Sequence, residues 1–130
     1  MMLTVNDENI EVSFIETQSV NDGVECDVYS IVNDNNRDIG IIRIKAGYRT
    51  PKQKILQGDK TVEGYITGKG ILEVWRNDNS TSKYSFPNDK YTKVELEVGD
   101  IMQWEADQDL EVFEICYPPY HDGRFLNLDA

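Results

Sequence analysis

Apolar and polar residues alternate along most of this chain in short runs. Lys93-Val94-Glu95-Leu96-Glu97-Val98 is the clearest example, and its period of two predicts a strand with one buried and one wet face. Similar runs rich in β-branched and aromatic residues cover 24–32, 39–45, 62–67, 71–75, 101–104 and 110–117. No window holds a helical period of 3.6 over three turns. Turn signals punctuate the runs: Asn21-Asp22-Gly23, Asn33 to Asn36, Gly58-Asp59, Gly68-Lys69-Gly70, Asn77 to Ser80, Pro87-Asn88-Asp89 and Gly99-Asp100. Asn, Asp and Gly tolerate left-handed backbone angles, so each marks a reversal. Short strands with frequent turns predict an all-β sandwich or barrel.

The chain has 130 residues, enough for one domain spanning 1–130 with a core at about 24–120. No apolar run approaches the roughly 20 residues that cross a bilayer, and the N-terminal residues lack a secretory pattern. A cytoplasmic location is expected. The net charge is −11, from 24 acidic and 13 basic residues. That surface repels phosphate backbones and anionic lipid heads, so neither nucleic-acid nor membrane binding is expected. Cys26 and Cys116 form no CxxC pair and no disulfide framework, and two free thiols are expected.

The segment from Ala46 to Trp75 carries the most specific signal. Gly47 is followed by a long loop, and Glu63 opens a strand expected to close in the tight turn Gly68-Lys69-Gly70. Glu63 and Gly70 stand seven positions apart. Val98-Gly99-Asp100-Ile101-Met102-Gln103-Trp104 places a Gly-Asp turn before a further strand, and Glu114 to Tyr120 reads as a last strand. In this order and separation, over roughly residues 39–120, the pieces resemble the cupin family. The resemblance implies a double-stranded β-helix, or jelly-roll barrel.

It also implies a metal held by two His and one Glu of a first motif and one His of a second. This chain departs from that pattern. Its one His, His121, lies beyond the second motif, and Pro51-Lys52-Gln53-Lys54-Ile55 stands where the His pair belongs. The second His position falls near Gln108, Asp109 or Leu110. Imidazole suits those metals at neutral pH, whereas a protonated Lys cannot ligate. The expectation is no metal site and no cofactor; a hard ion on Glu63 and Asp109 is the minor alternative.

Candidate ligand-binding residues follow from strand parity. If Glu63 faces the barrel lumen, Tyr65 and Thr67 do so as well, while Val62, Gly64 and Ile66 face away. Tyr65 also reads as a core aromatic. Glu114 and Cys116 share one strand face. The loop from Arg49 to Lys60 carries Arg49, Lys52, Lys54 and Lys60, four of the 13 basic residues. They either blunt a strand edge or turn inward in place of the histidines, with Gln53 and Lys54 as the leading candidates. The ligand set is then Gln53, Lys54, Glu63, Tyr65, Thr67, Glu114 and Cys116.

Three functions stay open at this point. One is a barrel that binds a small polar ligand, sugar-like or carboxylate-like, without a transition metal. Another is a metal-independent sugar epimerase or isomerase using Glu63, Tyr65 and Lys54 as acid and base. The third is a non-catalytic dimerising module. By analogy of fold a homodimer is expected, with Tyr117 to Phe125 covering the barrel end or a subunit contact. A Cys116–His121 dyad is a minor option.

Overall fold

The computed structural model of the chain describes residues 1–119 and 124–128. His121 lies outside them, so the proposed Cys116–His121 dyad does too. Among the described residues ten strands run β1 Met2–Val5, β2 Glu8–Asn21, β3 Val24–Ile31, β4 Asp34–Ile44, β5 Gln53–Ile55, β6 Lys60–Trp75, β7 Thr81–Phe86, β8 Lys93–Leu96, β9 Ile101–Tyr117 and β10 Phe125–Asn127. The fold is all-β, as the alternation predicts, and every pairing is antiparallel. Among the described residues no helix is long and apolar enough to cross a membrane.

β6 and β9 pair along almost their whole length, from Lys60↔Tyr117 to Trp75↔Ile101. Each bends midway and so serves two sheets. The first halves of β6 and the second halves of β9 belong to one layer, ordered β1-β2-β3-β4-β9-β6-β8. The remaining halves build the other layer, ordered β7-β6-β9-β5-β10. This is the two-layered jelly roll that the resemblance implies.

The bend corrects one expectation. Gly68-Lys69-Gly70 is not a tight turn closing a strand; it is an irregular stretch inside the single strand β6. The β6–β9 register shifts between Tyr65 and Gly70. Gly68 has φ +100°, and a Cβ there would fall 2.0 Å from the Asp109 carbonyl oxygen. Only glycine lets the two backbones come this close while the strand turns the corner. The runs at 101–104 and 110–117 likewise merge into one strand, because Glu105 to Asp109 stay paired or nearly so with β6.

Between the layers lies one apolar cluster, with Leu72, Val74, Phe86, Leu96, Met102, Trp104 and Val112 at its centre. The other face of the first layer is also covered. Ile39, Ile41, Val62, Phe113 and Ile115 pack there with Val5, Ile10 and Val12 from β1 and β2. The ordered core therefore starts well before residue 24. Gly64 sits under the Phe113 ring, where a Cβ would lie 2.0 Å from Cζ.

The Gly99-Asp100 turn is anchored by chemistry rather than by packing. Asp100 is 2 % exposed and accepts from Arg76 Nη1 at 3.0 Å, Asn77 N at 3.0 Å and Glu97 N at 2.9 Å. A buried carboxylate that satisfies a guanidinium and two backbone N–H groups pins the loops before β7 and β9 together.

Candidate functional site

Strand register lays out one polar row across the inner face of the first layer. Val28 stands opposite Gly40, Gly40 opposite Glu114, Glu114 opposite Glu63, and Glu63 opposite Val94. In the neighbouring rows Cys26 pairs with Ile42, and Asp38 pairs with Cys116. Gly40 has no side chain, and the Cys26 sulfur occupies the space, 3.0 Å from where a Cβ would stand.

Above this face the two layers part and leave a cavity of about 230 Å³. Its first wall is built from Cys26, Val28, Ile39, Gly40, Glu114 and Cys116, with Gln18 and Asp38 at the margin. Thr50, Gln53, Phe125 and Asn127 of the second layer close the opposite side. Gln53 Nε2 donates to Asn127 Oδ1 at 3.0 Å, which joins β5 to β10 across that wall.

Glu63 lies directly behind the Glu114 wall and is completely buried. Trp104 Nε1 donates to its Oε1 at 2.8 Å. Its Oε2 is buried with no hydrogen-bond donor. Burial pushes the Glu63 carboxyl well above its ordinary 4.5, and the Glu114 charge adds to this; the Trp104 bond opposes it less strongly. Two carboxyl groups directly across a strand pair are favourable only if they share a proton, so a proton on Glu63 Oε2 directed to Glu114 satisfies both.

The cysteines beside them are held neutral. Burial raises the Cys26 thiol to about 12, with Glu114 and Glu63 as further causes. Cys116 is also pushed well up by burial and by Glu114, whose Oε1 lies 3.7 Å from its sulfur. Neither thiol is a thiolate nucleophile at neutral pH. The register sets Cys26 and Cys116 two strands and several residues apart, and both are free.

The seven sequence candidates thus divide. Gln53, Glu114 and Cys116 line the cavity, and Glu63 backs it. The other three do not meet them there. Tyr65 keeps the predicted inward parity, but it stacks on Phe86 at 5.6 Å and its hydroxyl donates to the Gly68 carbonyl at 2.8 Å. Thr67 follows the register shift and instead borders a separate cleft of about 270 Å³ beside Glu25, Arg43, Lys45, Asp109 and Glu111. Lys54 alternates with Gln53 and Ile55, so it takes the face opposite to the cavity-lining Gln53.

The basic loop also turns outward. Lys52 lies over the Trp75 ring at 4.3 Å, Lys60 pairs with Glu95 at 3.0 Å, and Arg49 bridges to Glu105 through its backbone. Among the described residues the cavity wall holds no Lys, Arg or His. The expectation that Lys replaces the histidines in the lumen is therefore corrected. Missed by sequence reasoning were Cys26, Asp38, Gln18 and Asn127. Cys26 sits in a run already read as a strand, where parity was the usable signal, whereas Asp38 lies just before the run read at 39–45, because β4 starts earlier, at Asp34.

The donor set does not fit the metal that the family resemblance implies. Among the described residues no group of three or more His, Cys, Asp or Glu is arranged to hold an ion. One Glu63 oxygen is taken by the Trp104 indole, and Asp109 lies on the separate cleft, where it accepts from Ala46 N at 2.9 Å.

No family model matches the chain, and no curated protein does either. Solved structures do. The capsular polysaccharide assembling protein CapF from Staphylococcus aureus superposes with a TM-score of 0.67 at 16% identity, over 92% of this chain and 32% of that one. Oxalate decarboxylase from Lactobacillus farciminis, as a formate complex, gives 0.69 at 10% identity over 90% and 33%. Salicylate 1,2-dioxygenase from Pseudoaminobacter salicylatoxidans, a W104Y mutant with gentisate, gives 0.59 at 15% over 76% and 26%. The chain spans about a third of the length of the first two. It has the cupin fold.

Proposed function

We propose that this cupin-fold chain binds a small polar molecule between its two layers, without a transition metal. The observation that carries the reading is the cavity itself. It places Gln53, Asn127, Thr50, Glu114 and two neutral thiols around a space of about 230 Å³ in an otherwise apolar interior. Convergent polar groups in an apolar pocket are the usual mark of a ligand site. The volume lies below the roughly 300 Å³ at which most pockets begin, so the ligand is small.

Wall chemistry narrows the ligand class. Amide, hydroxyl and carboxylate groups suit hydroxyls and amines, as in a small polyol or amino alcohol. A carboxylate or phosphate would face Glu114 with no basic side chain in the described wall to offset it. The carboxylate-like half of the initial ligand expectation therefore drops out, and the sugar-like half remains. The acid–base trio of an epimerase has no support either. Tyr65 is bonded to Gly68 and Lys54 faces away, so Glu63, Tyr65 and Lys54 do not converge on one point.

A thermal-shift and calorimetric screen of small polyols, amino alcohols and dicarboxylates tests this. Members of the first two groups are expected to raise Tm and the dicarboxylates are not. Val28→Phe, which fills the cavity from its wall, is expected to abolish the shift while the variant stays folded. Binding that survives Val28→Phe would refute the location.

A further inference from the structure

Glu63 and Glu114 present an anomaly that packing alone does not account for. A fully buried carboxyl group spends one oxygen on an indole N–H and leaves the other without a donor. Its cross-strand neighbour is a second carboxyl, and that neighbour lines the cavity. An apolar pair at these positions would cost nothing in desolvation, since replacing buried ionic groups by packed hydrophobes is often neutral or stabilising. The arrangement instead leaves negative charge and a proton at the cavity wall.

Resting on the cavity reading above, we propose that Glu63 and Glu114 form a receptor for a small organic ammonium ion, which takes the place of the proton the two carboxyl groups otherwise share. The ammonium donates three hydrogen bonds from a compact charge. It meets the Glu114 carboxylate at the cavity wall, and its charge compensates the buried Glu63 carboxyl across the strand pair from Glu114. The proton leaves to solvent as the cation enters, so the net charge of the filled site is unchanged.

The surroundings favour this occupant. Among the described residues, the charged and titratable groups around the pair are Cys116 on β9, Cys26 on β3 and Asp38 on β4, with Arg124, ahead of β10, acting on Cys116. Both thiols are neutral. The Arg124 guanidinium is turned to the carbonyls of Lys60, Tyr117 and Pro118. Gln53 and Asn127 stand on the opposite side to receive a second polar end of the ligand, and Val28, Ile42 and Phe125 flank a short carbon chain. An inorganic divalent ion is a poorer match, because the described residues offer no group of three His, Cys, Asp or Glu side chains around one point.

Three probes that differ only in one head group test the inference: 4-aminobutan-1-ol, butane-1,4-diol and 4-hydroxybutyrate. Calorimetry is run at neutral pH in phosphate and in MOPS, whose ionisation enthalpies differ and neither of which carries a primary ammonium. The amino alcohol is expected to bind at least about tenfold more tightly than the diol, with the hydroxy acid weakest. Its apparent enthalpy should differ between buffers by close to one released proton. Glu63→Gln is expected to abolish the proton release, because its amide donates to Glu114 permanently and carries no proton to give up. Glu114→Gln is expected to weaken the amino alcohol about tenfold or more and to leave the diol nearly unchanged.

Each other outcome is decisive. If the diol binds and the amino alcohol gains nothing, the ammonium inference fails while the cavity reading stands. If the amino alcohol binds with no proton exchanged, displacement of the shared proton is wrong. If no probe binds, both readings fail. Binding of Mg²⁺ or Mn²⁺ that Glu114→Gln removes, in place of the amine, would replace the ammonium with a metal.

Discussion

A carboxylate opposite a carboxylate destabilises a strand pair unless a proton sits between them, and Glu63 meets Glu114 in this way. The consequence can be measured as stability against pH. Glu63 holds its proton more tightly in the folded chain than its ordinary 4.5 allows. The stabilising contribution of the protonated form is complete below that value. It is lost as pH rises from there through the raised folded value, because the unfolded chain then gives up a proton that the folded chain keeps. The slope reaches at most about 1.4 kcal/mol per pH unit for one proton. Urea unfolding at intervals from pH 5 to 8 should show this decline in the wild type and a flatter profile in Glu63→Gln. Parallel profiles would mean that Glu63 ionises normally. The charge-neutral variant is also expected to match or exceed wild-type stability at pH 8, since the amide keeps the Trp104 and Glu114 contacts without a buried charge.

At the scale of elements, the fold turns on the corner that β6 and β9 share. Gly68 combines a positive φ with a backbone oxygen in the place of its Cβ. Gly68→Ala is expected to cost about 2–4 kcal/mol by chemical denaturation, the sum of a strained left-handed backbone and a forced separation from Asp109. A loss under about 0.5 kcal/mol would show that the corner yields without cost. The same corner marks where the sequence stopped being legible. Alternation located the strands at 24–31 and 93–96 because one face of each is apolar in sequence, and Asn, Asp and Gly located the reversals between them. It split β6 and β9 at their bends, since Gly68 and Gly70 look alike in a hairpin turn and in a bulge. β2 escaped notice because beyond Val12 its side chains are mostly exposed, so no buried face writes itself into the pattern. Parity tied Glu63 to Tyr65 and Glu114 to Cys116 on shared faces, and the strands keep both ties. It carried Thr67 inward only because the register shift before it is invisible in a single sequence. Lys54 was misplaced for a related reason: β5 has three residues, too few for a periodic signal to decide which of Gln53 and Lys54 faces the cavity.

The whole molecule is an acidic shell around a cavity with an acidic wall. Many basic side chains are spent on pairs away from the cavity, among them Arg37 with Glu8 and Asp34, Arg43 with Asp27, Lys60 with Glu95 and Arg76 with Asp100. With a net charge of −11, the field outside and the carboxyl pair inside both favour neutral or cationic molecules over anions. Two recesses compete to be the site: the space between the layers and the charged cleft beside Arg43, Lys45, Thr67 and Asp109. Backbone amide chemical-shift mapping by NMR, with whichever small polar compound gives the largest thermal shift, separates them most directly. The account predicts that perturbations gather at Gly40, Gln53, Glu114 and Cys116 and at the Trp104 indole N–H that reports on Glu63. Perturbations gathered instead at Arg43, Lys45, Thr67 and Asp109 would contradict it.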